Sequence, residues 1–335
     1  MSSLHNRLAV APHDSRKKIA VIGSGIAGLS AAWLLSYRHD VTLLEKEARL
    51  GGHSNTAHVP CREGTVPVDT GFIVYNERNY PNLTAFFEFL GVATQSSNMS
   101  FSASLDGGDF EYTGSIQGLF ADRRNLVRPR MWRLLADVPK LYARASKMTD
   151  RQDLATMPLG DFLREERFSA PLRDDHLLPM CAAIWSLPRE TVERLPTLSF
   201  LRFFQNHGLF SFTDRPKWRT VTQGSQAYVE KLRAAFAGDV VLGNGACGLT
   251  RHDDHVEIRL QDGSTRTFDD VVLACHSDEA LGLLSDANER ERALLGAMPY
   301  QRNVVYLHKD EGLMPKRRQV WASWNYLGGE TGEPV

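Results

Sequence analysis

The sequence predicts an α/β fold, a doubly wound parallel sheet with a mainly helical segment inserted into it. Three observations predict it: a strand, glycine turn, helix and strand over residues 18–45, a run of helix-spaced apolar residues from about residue 76, and a return to short buried strands after Gly224.

The first unit reads KIAVIGSGIAGLSAAWLLSYRHDVTLLE. The apolar run Ile19-Ala20-Val21-Ile22 suits a parallel strand buried on both faces, and it stops at Gly23-Ser24-Gly25-Ile26-Ala27-Gly28, where a helix begins. Gly23 permits a tight turn, Gly25 lets backbone approach a pyrophosphate, and Gly28 lets the helix pack close to the strand. The N–H groups of Ile26 and Ala27 then open a helix whose positive end faces the phosphates. The next strand, Val41-Thr42-Leu43-Leu44, ends on Glu45, a carboxylate placed to accept ribose hydroxyls and to repel a 2′-phosphate. Strand before, helix after and the acid at this distance define a dinucleotide clamp.

A second glycine pair follows closely in Arg49-Leu50-Gly51-Gly52-His53-Ser54-Asn55-Thr56. It brings another stretch of backbone to the same phosphates, as FAD-binding proteins do and most NAD dehydrogenases do not. With this pair the chain resembles the flavin-containing amine oxidase and phytoene desaturase superfamily, and most closely a bacterial subfamily of NAD/FAD-binding oxidoreductases. The resemblance is carried by Gly51-Gly52-His53-Ser54-Asn55-Thr56, by residues 68–76 (VDTGFIVYN), by Asn98-Met99-Ser100-Phe101-Ser102, by Ala183-Ile184-Trp185-Ser186, by Asn206-His207-Gly208-Leu209, by Trp218-Arg219-Thr220-Val221 and by Ala322-Ser323-Trp324-Asn325-Tyr326. It covers nearly the whole chain. It implies a Rossmann-like FAD-binding domain at residues 18–75 plus 220–285, and a substrate domain at residues 76–219 plus 286–335. Residues 1–17 read as a disordered start. The implied cofactor contacts are Gly23, Gly25, Ile26, Ala27, Gly28, Glu45, Lys46, Gly51, Gly52, His53, Ser54, Thr70, Gly71, Phe72 and Ala246.

Composition agrees with an enzyme-sized chain. With 335 residues and 42% apolar content it can bury a large core and exceeds one ordinary domain. A formal net charge of −1 gives no general attraction to nucleic acid or anionic lipid. Cys61, Cys181, Cys247 and Cys275 are scattered without a CxxC pair, so neither a disulfide scaffold nor a metal site is supported. No leader-like or membrane-spanning run is evident, which points to a cytoplasmic protein without stable membrane insertion. The oligomeric state is not legible.

Helical patterning covers residues 80–90, closed by Gly91, and residues 131–147, with further helices near 159–165, 170–185 and 198–206. The return begins with a helix at 226–236, a strand at 239–242, a hairpin with Gln261-Asp262-Gly263-Ser264 at its turn, and the strand Asp270-Val271-Val272-Leu273. In the family the stretch after Gly243 passes along the adenine near Ala246.

The chemistry implied by the resemblance is hydride transfer from a substrate C–H bond to flavin N5, with the protein supplying orientation and dryness. Gly71 would let backbone approach the flavin ring, or Thr70-Gly71-Phe72 is an ordinary bend with Asp69 capping it. His53 stands where many relatives carry Arg, near the pyrophosphate or as a surface histidine. His207 is either a proton acceptor or a helix C-cap beside Gly208. Trp185 and Trp218 either wall a substrate cavity or fill the core. The family lysine that bonds to the flavin through water falls near Asn303, in an expected strand over 301–308 that has no lysine. That departure turns the reading from an amine toward an apolar, lipid-like or polyene substrate. The amine oxidase type and a catalytically inactive dinucleotide-binding fragment are the alternatives. Arg123, Arg124, Arg128, Arg130 and Arg133, with Trp132, could touch a membrane surface, but Asp122 and Asp137 interrupt them as on a solvated basic face. A strand at 319–326 reads as having no partner strand left, so the chain is expected to lack the family's last segment and to hold FAD weakly.

Overall fold

The computed structural model describes residues 16–213 and 215–328. The chain divides into two compact units. Of the described residues, the first holds 16–75, 80–95 and 219–305; the second holds 76–79, 96–213, 215–218 and 306–328.

The first unit is built on a four-stranded parallel sheet in the order Asp239–Leu242, Asp40–Glu45, Lys18–Ile22, Asp270–Leu273. Its registers pair Val21 with both Leu43 and Val272, and Leu43 with Val240. A strand alternates its side chains between two faces, and both faces of Lys18–Ile22 are covered. Ile19 and Val21 enter a cluster with Leu29, Trp33, Tyr228 and Leu232, which come from the helices Ile26–Ser36 and Gln226–Ala235. Ala20 and Ile22 enter a second cluster with Leu249, Ile258 and Phe268. That second face is covered by an antiparallel sheet, Ala246–Arg251, Val256–Leu260 and Thr265–Phe268, where a doubly wound fold would place helices. The alternation Val256, Ile258, Leu260 buried with Glu257 and Arg259 exposed explains why a sheet serves there.

Residues 80–95, expected in the helical insertion, fold with the first unit. The helix Pro81–Leu90 presents Phe86 and Phe89 to Trp33 at ring-centroid distances of 5.3 Å each, and Phe87 to Tyr75 and Tyr228. It ends on Gly91 at φ 63°, a left-handed turn open to glycine. The start of the chain also differs from expectation. Arg16 bonds Asp40 at 2.9 Å and Lys17 bonds Asp270 at 2.8 Å, so the first two described residues are tied to the sheet; the rest of the expected disordered segment lies outside the described residues.

In the second unit, the helices Pro129–Ala145, Leu159–Glu165, Leu178–Trp185 and Thr197–Asn206 pack around Met131, Leu134, Phe162, Phe200 and Phe204. The expected helix over 170–185 is broken by a π-helical turn at Arg173–Leu177. The strand expected to lack a partner has one. Trp324–Leu327 pairs in parallel with Phe101–Leu105, which in turn pairs with Phe110–Thr113. Residues more than two hundred positions apart make this ladder, a separation that local pattern reading cannot see.

Candidate functional site

Three backbone segments converge in the first unit. The turn after Lys18–Ile22 is fixed from below: a Cβ on Gly23 (φ 100°) would stand 2.7 Å from the Ala274 carbonyl oxygen, and one on Gly28 would stand 1.8 Å from the Gly23 carbonyl oxygen. Both positions admit only glycine on packing grounds. Gly25 is different. No atom lies within 4 Å of where its Cβ would be, and its φ of −63° suits any residue. The helix Ile26–Ser36 begins there with no side-chain cap and no acid in its first turn. Its first N–H groups are therefore left for an external acceptor.

The second glycine pair sits directly on this turn. Gly51 N–H donates to the Ser24 carbonyl at 3.0 Å, and a Cβ on Gly52 would stand 3.0 Å from Gly25 Cα. Gly51 and Gly52 have φ of 111° and 56°, so the pair is needed for backbone shape as well as approach. Ser54 Oγ bonds Tyr228 Oη at 2.5 Å and anchors the loop to the core. The third segment follows: Phe72 N–H donates to the His53 carbonyl at 2.9 Å, and Thr70 N–H to the Asn55 carbonyl at 2.9 Å. A Cβ on Gly71 would meet the His53 carbonyl oxygen at 2.2 Å, so this glycine answers a demand of the fold itself.

Asp69 does not cap the bend after it. Its carboxylate accepts from Thr56 Oγ1 at 2.6 Å and from Ser225 N–H at 2.8 Å, joining the glycine loop to the helix Gln226–Ala235. Phe72 stands edge-on to Tyr228 at 6.3 Å.

Glu45 is buried and ends its strand under the turn. Oε2 accepts from Ser24 N–H at 2.8 Å and Ser24 Oγ–H at 2.5 Å, and Oε1 accepts from Glu47 N–H at 2.9 Å. A carboxylate offers about four lone-pair sites; one on Oε1 is left for a further donor such as a ribose hydroxyl. Lys46 forms an ion pair with Glu279 at 2.6 Å, which raises the lysine pKa and lowers that of the acid. The returning chain lies beside it: Gly243 N–H donates to the Glu47 carbonyl at 3.0 Å, a Cβ on Gly245 would press on Lys46, and Ala246 opens the adjoining strand.

Sequence reading missed one group here. His53 and His276 stack at 5.9 Å and His276 stacks on Tyr300 at 4.3 Å, so an aromatic column stands beside the glycine loops. The signal available was the residue order: Cys275-His276 directly follows a strand that pairs with Lys18–Ile22, and such strand ends crowd one edge of the sheet.

The two catalytic candidates fall in different units. His207, in the second unit, is the C-cap of the helix Thr197–Asn206; its Nδ1 bonds the Phe203 carbonyl at 2.9 Å and its ring stacks on Phe203 at 4.1 Å. Asn303, in the first unit, is exposed in a stretch without secondary structure, and its side-chain oxygen accepts from Gln301 Nε2 at 3.5 Å. The strand expected over 301–308 does not form, because no described residue pairs with its backbone. Trp185 packs on Phe203 and Phe204 as a core residue, and Trp218 lies parallel to His207 at 6.1 Å. Among the described residues no group of three or more acids, histidines or cysteines forms a metal site.

A parallel sheet whose first crossover carries an open glycine turn, an uncapped helix and a buried terminal carboxylate defines a dinucleotide-binding protein, and the second glycine pair locked onto that turn defines the flavin-binding kind. The chain belongs to the flavin containing amine oxidoreductase family, whose model matches residues 26–319. Its cofactor is FAD, and the open space at Gly25 with the spare acceptor on Glu45 suits the ADP half of that cofactor. A bilirubin reductase of Mediterraneibacter gnavus is 49% identical over 55 residues, 16% of this chain and 9% of that protein. An L-amino-acid oxidase of Pseudechis australis is 54% identical over 41 residues, 12% of this chain and 8% of that protein. In fold the chain is similar to a conjugated-linoleic-acid-producing fatty acid isomerase of P. acnes, with a TM-score of 0.60, 22% identity, and coverage of 84% of this chain and 63% of that one. The chain thus spans less than two thirds of each of these relatives. No helix among the described residues is long and apolar enough to cross a membrane.

Proposed function

We propose that the first unit holds FAD for an oxidoreductase that takes a hydride from a substrate C–H bond, and that the second unit contributes to binding an apolar, lipid-like or polyene substrate. Bound FAD supplies the two-electron acceptor, N5 of its ring. The chain's own residues do the rest. Gly25 and Gly52 leave room for the pyrophosphate, and the N–H groups of Ile26, Ala27 and Gly28 donate to it with the helix dipole behind them. The free lone pair of Glu45 receives a ribose hydroxyl, with Lys46 and Ala246 beside the adenine end. Backbone at Thr70, Gly71 and Phe72, held by His53 and Asn55, is the part of this cradle that borders the ring and keeps water from it.

The single observation that carries the reading is the seat of Gly52 on Gly25, which brings two glycine loops to one open space. An apolar substrate is favoured because residues 301–308 contain no lysine, the residue expected of an amine oxidase at that place. Anaerobic titration of the FAD-loaded protein separates the two. Loss of the flavin band at about 450 nm with long-chain acyl substrates and not with primary amines supports the reading. Bleaching by amines alone reverses the substrate assignment.

A further inference from the structure

The second unit carries a surface whose chemistry is unlike that of a solvated face. The helix Pro129–Ala145 buries Met131, Leu134, Leu141 and Ala145, and exposes Trp132, Arg133, Ala136 and Lys140 along the opposite stripe. Trp132 is half exposed at 51%, yet its indole N–H already donates to the Leu126 carbonyl at 2.8 Å and its ring packs against Phe120 at 6.0 Å. The polar handle is thus satisfied within the chain while the apolar ring faces outward. Ile116, which opens the short helix Ile116–Leu119, and Val127, which closes the turn Arg123–Leu126, are each 80% exposed, and Leu126 is 50% exposed.

The charges around these side chains sort into two groups. Arg124 and Arg128 pair with Asp109, Arg124 also with Asp122, and Arg130 with Asp106 and Asp175. Those arginines are committed to carboxylates of the same unit. Arg123 and Arg133 are exposed and have no carboxylate partner among the described residues. They leave an uncompensated positive pair beside protruding aliphatic side chains and a tryptophan.

We propose that Ile116, Leu126, Val127 and Trp132, with Arg123 and Arg133, form a peripheral docking surface for an anionic lipid bilayer. Protruding aliphatic side chains enter the acyl boundary, a tryptophan with its N–H satisfied settles at the headgroup level, and the two arginines meet lipid phosphates. A protein partner would be served by a hollow with matching polar donors; this surface offers isolated projections and positive charge, which complement a soft anionic layer.

Vesicle co-sedimentation of the full chain tests the proposal, with phosphatidylcholine vesicles carrying a minority of phosphatidylglycerol set against phosphatidylcholine alone. The wild type is expected to pellet with the anionic vesicles, more weakly at raised salt. Arg123→Glu with Arg133→Glu is expected to weaken that partition about tenfold or more. Ile116→Ser with Val127→Ser, which leaves the core and the Trp132 bond intact, is expected to reduce it even on anionic vesicles. Near-ultraviolet circular dichroism identical to wild type keeps the variants interpretable. No pelleting of the wild type, pelleting indifferent to both double variants, or loss of a self-association by the Ile116/Val127 variant without any lipid binding overturns the proposal.

Discussion

Gly52 rests on Gly25: a side-chain carbon on the first would stand 3.0 Å from the α-carbon of the second, while a side-chain carbon on Gly25 would meet nothing within 4 Å. One glycine is closed by its neighbour and the other opens onto empty space. That asymmetry separates residues the fold needs from residues the cofactor needs.

Gly28→Ala is therefore a folding mutation. Its new methyl collides with the Gly23 carbonyl at 1.8 Å, and the helix Ile26–Ser36 can escape only by lifting from the sheet. A stability loss of about 3 kcal/mol, the upper end for overpacking, is expected and is read as a lower midpoint in chemical denaturation. An unchanged midpoint would show that the helix has slack at this contact.

Glu45→Ala removes the acceptor for Ser24 N–H, Ser24 Oγ–H and Glu47 N–H at once. Leaving buried donors unpaired costs about 1–3 kcal/mol each, so the variant should lose both stability and FAD affinity. Denaturant midpoints and FAD titration measured side by side check it; affinity retained at wild-type strength would remove Glu45 from the ribose site.

His207→Ala is expected to act on stability, not on turnover. The ring closes the helix end by its bond to Phe203 and stacks on that residue, a role worth about 1 kcal/mol. A fall in kcat of a hundredfold or so at unchanged stability, the scale of a lost general base, would restore His207 as a catalytic residue.

How much of this was legible in the sequence depends on the range of the interaction. The turn at Gly23–Gly28, Glu45 and the pair Gly51-Gly52 were readable because strand period, helix onset and turn residues are local. The hairpin at Gln261-Asp262-Gly263-Ser264 was readable for the same reason. The pairing of Trp324–Leu327 with Phe101–Leu105 was not, since nothing in either segment specifies a partner so distant. The strand expected over 301–308 fails in another way: an apolar pattern states a preference for strand, and a strand exists only where another backbone completes its hydrogen bonds. His53 was singled out but its stacking partner was not, because His276 reaches it only through the sheet order.

His176 gives the second unit a pH dependence. It lies in the π-helical turn, its Nδ1 3.0 Å from the Tyr112 hydroxyl, and that hydroxyl donates to the Asp175 carbonyl at 2.7 Å. With its hydroxyl hydrogen given to Asp175, Tyr112 accepts from His176 Nδ1–H, and burial, which disfavours the charged ring, lowers the histidine pKa to about 4. Because the folded pKa lies below the unfolded one, the unfolded chain takes up the proton first as pH falls. Stability from this group is full above about pH 6.5 and is lost progressively toward pH 4, by as much as about 3 kcal/mol. Denaturation midpoints of wild type and His176→Phe across that window should converge as the pH drops; parallel curves would show that His176 does not titrate with unfolding.

The central claim is that the open space at Gly25 is the pyrophosphate seat, and FAD titration of Gly25→Ala tests it most directly. The substitution meets no atom within 4 Å and suits the local φ of −63°, so stability should fall by no more than about 1 kcal/mol, the cost of alanine at a helix N-cap. FAD affinity, followed by quenching of flavin fluorescence, should fall about a hundredfold or more as the methyl occupies the phosphate approach. Wild-type affinity in a stably folded Gly25→Ala variant would contradict the account.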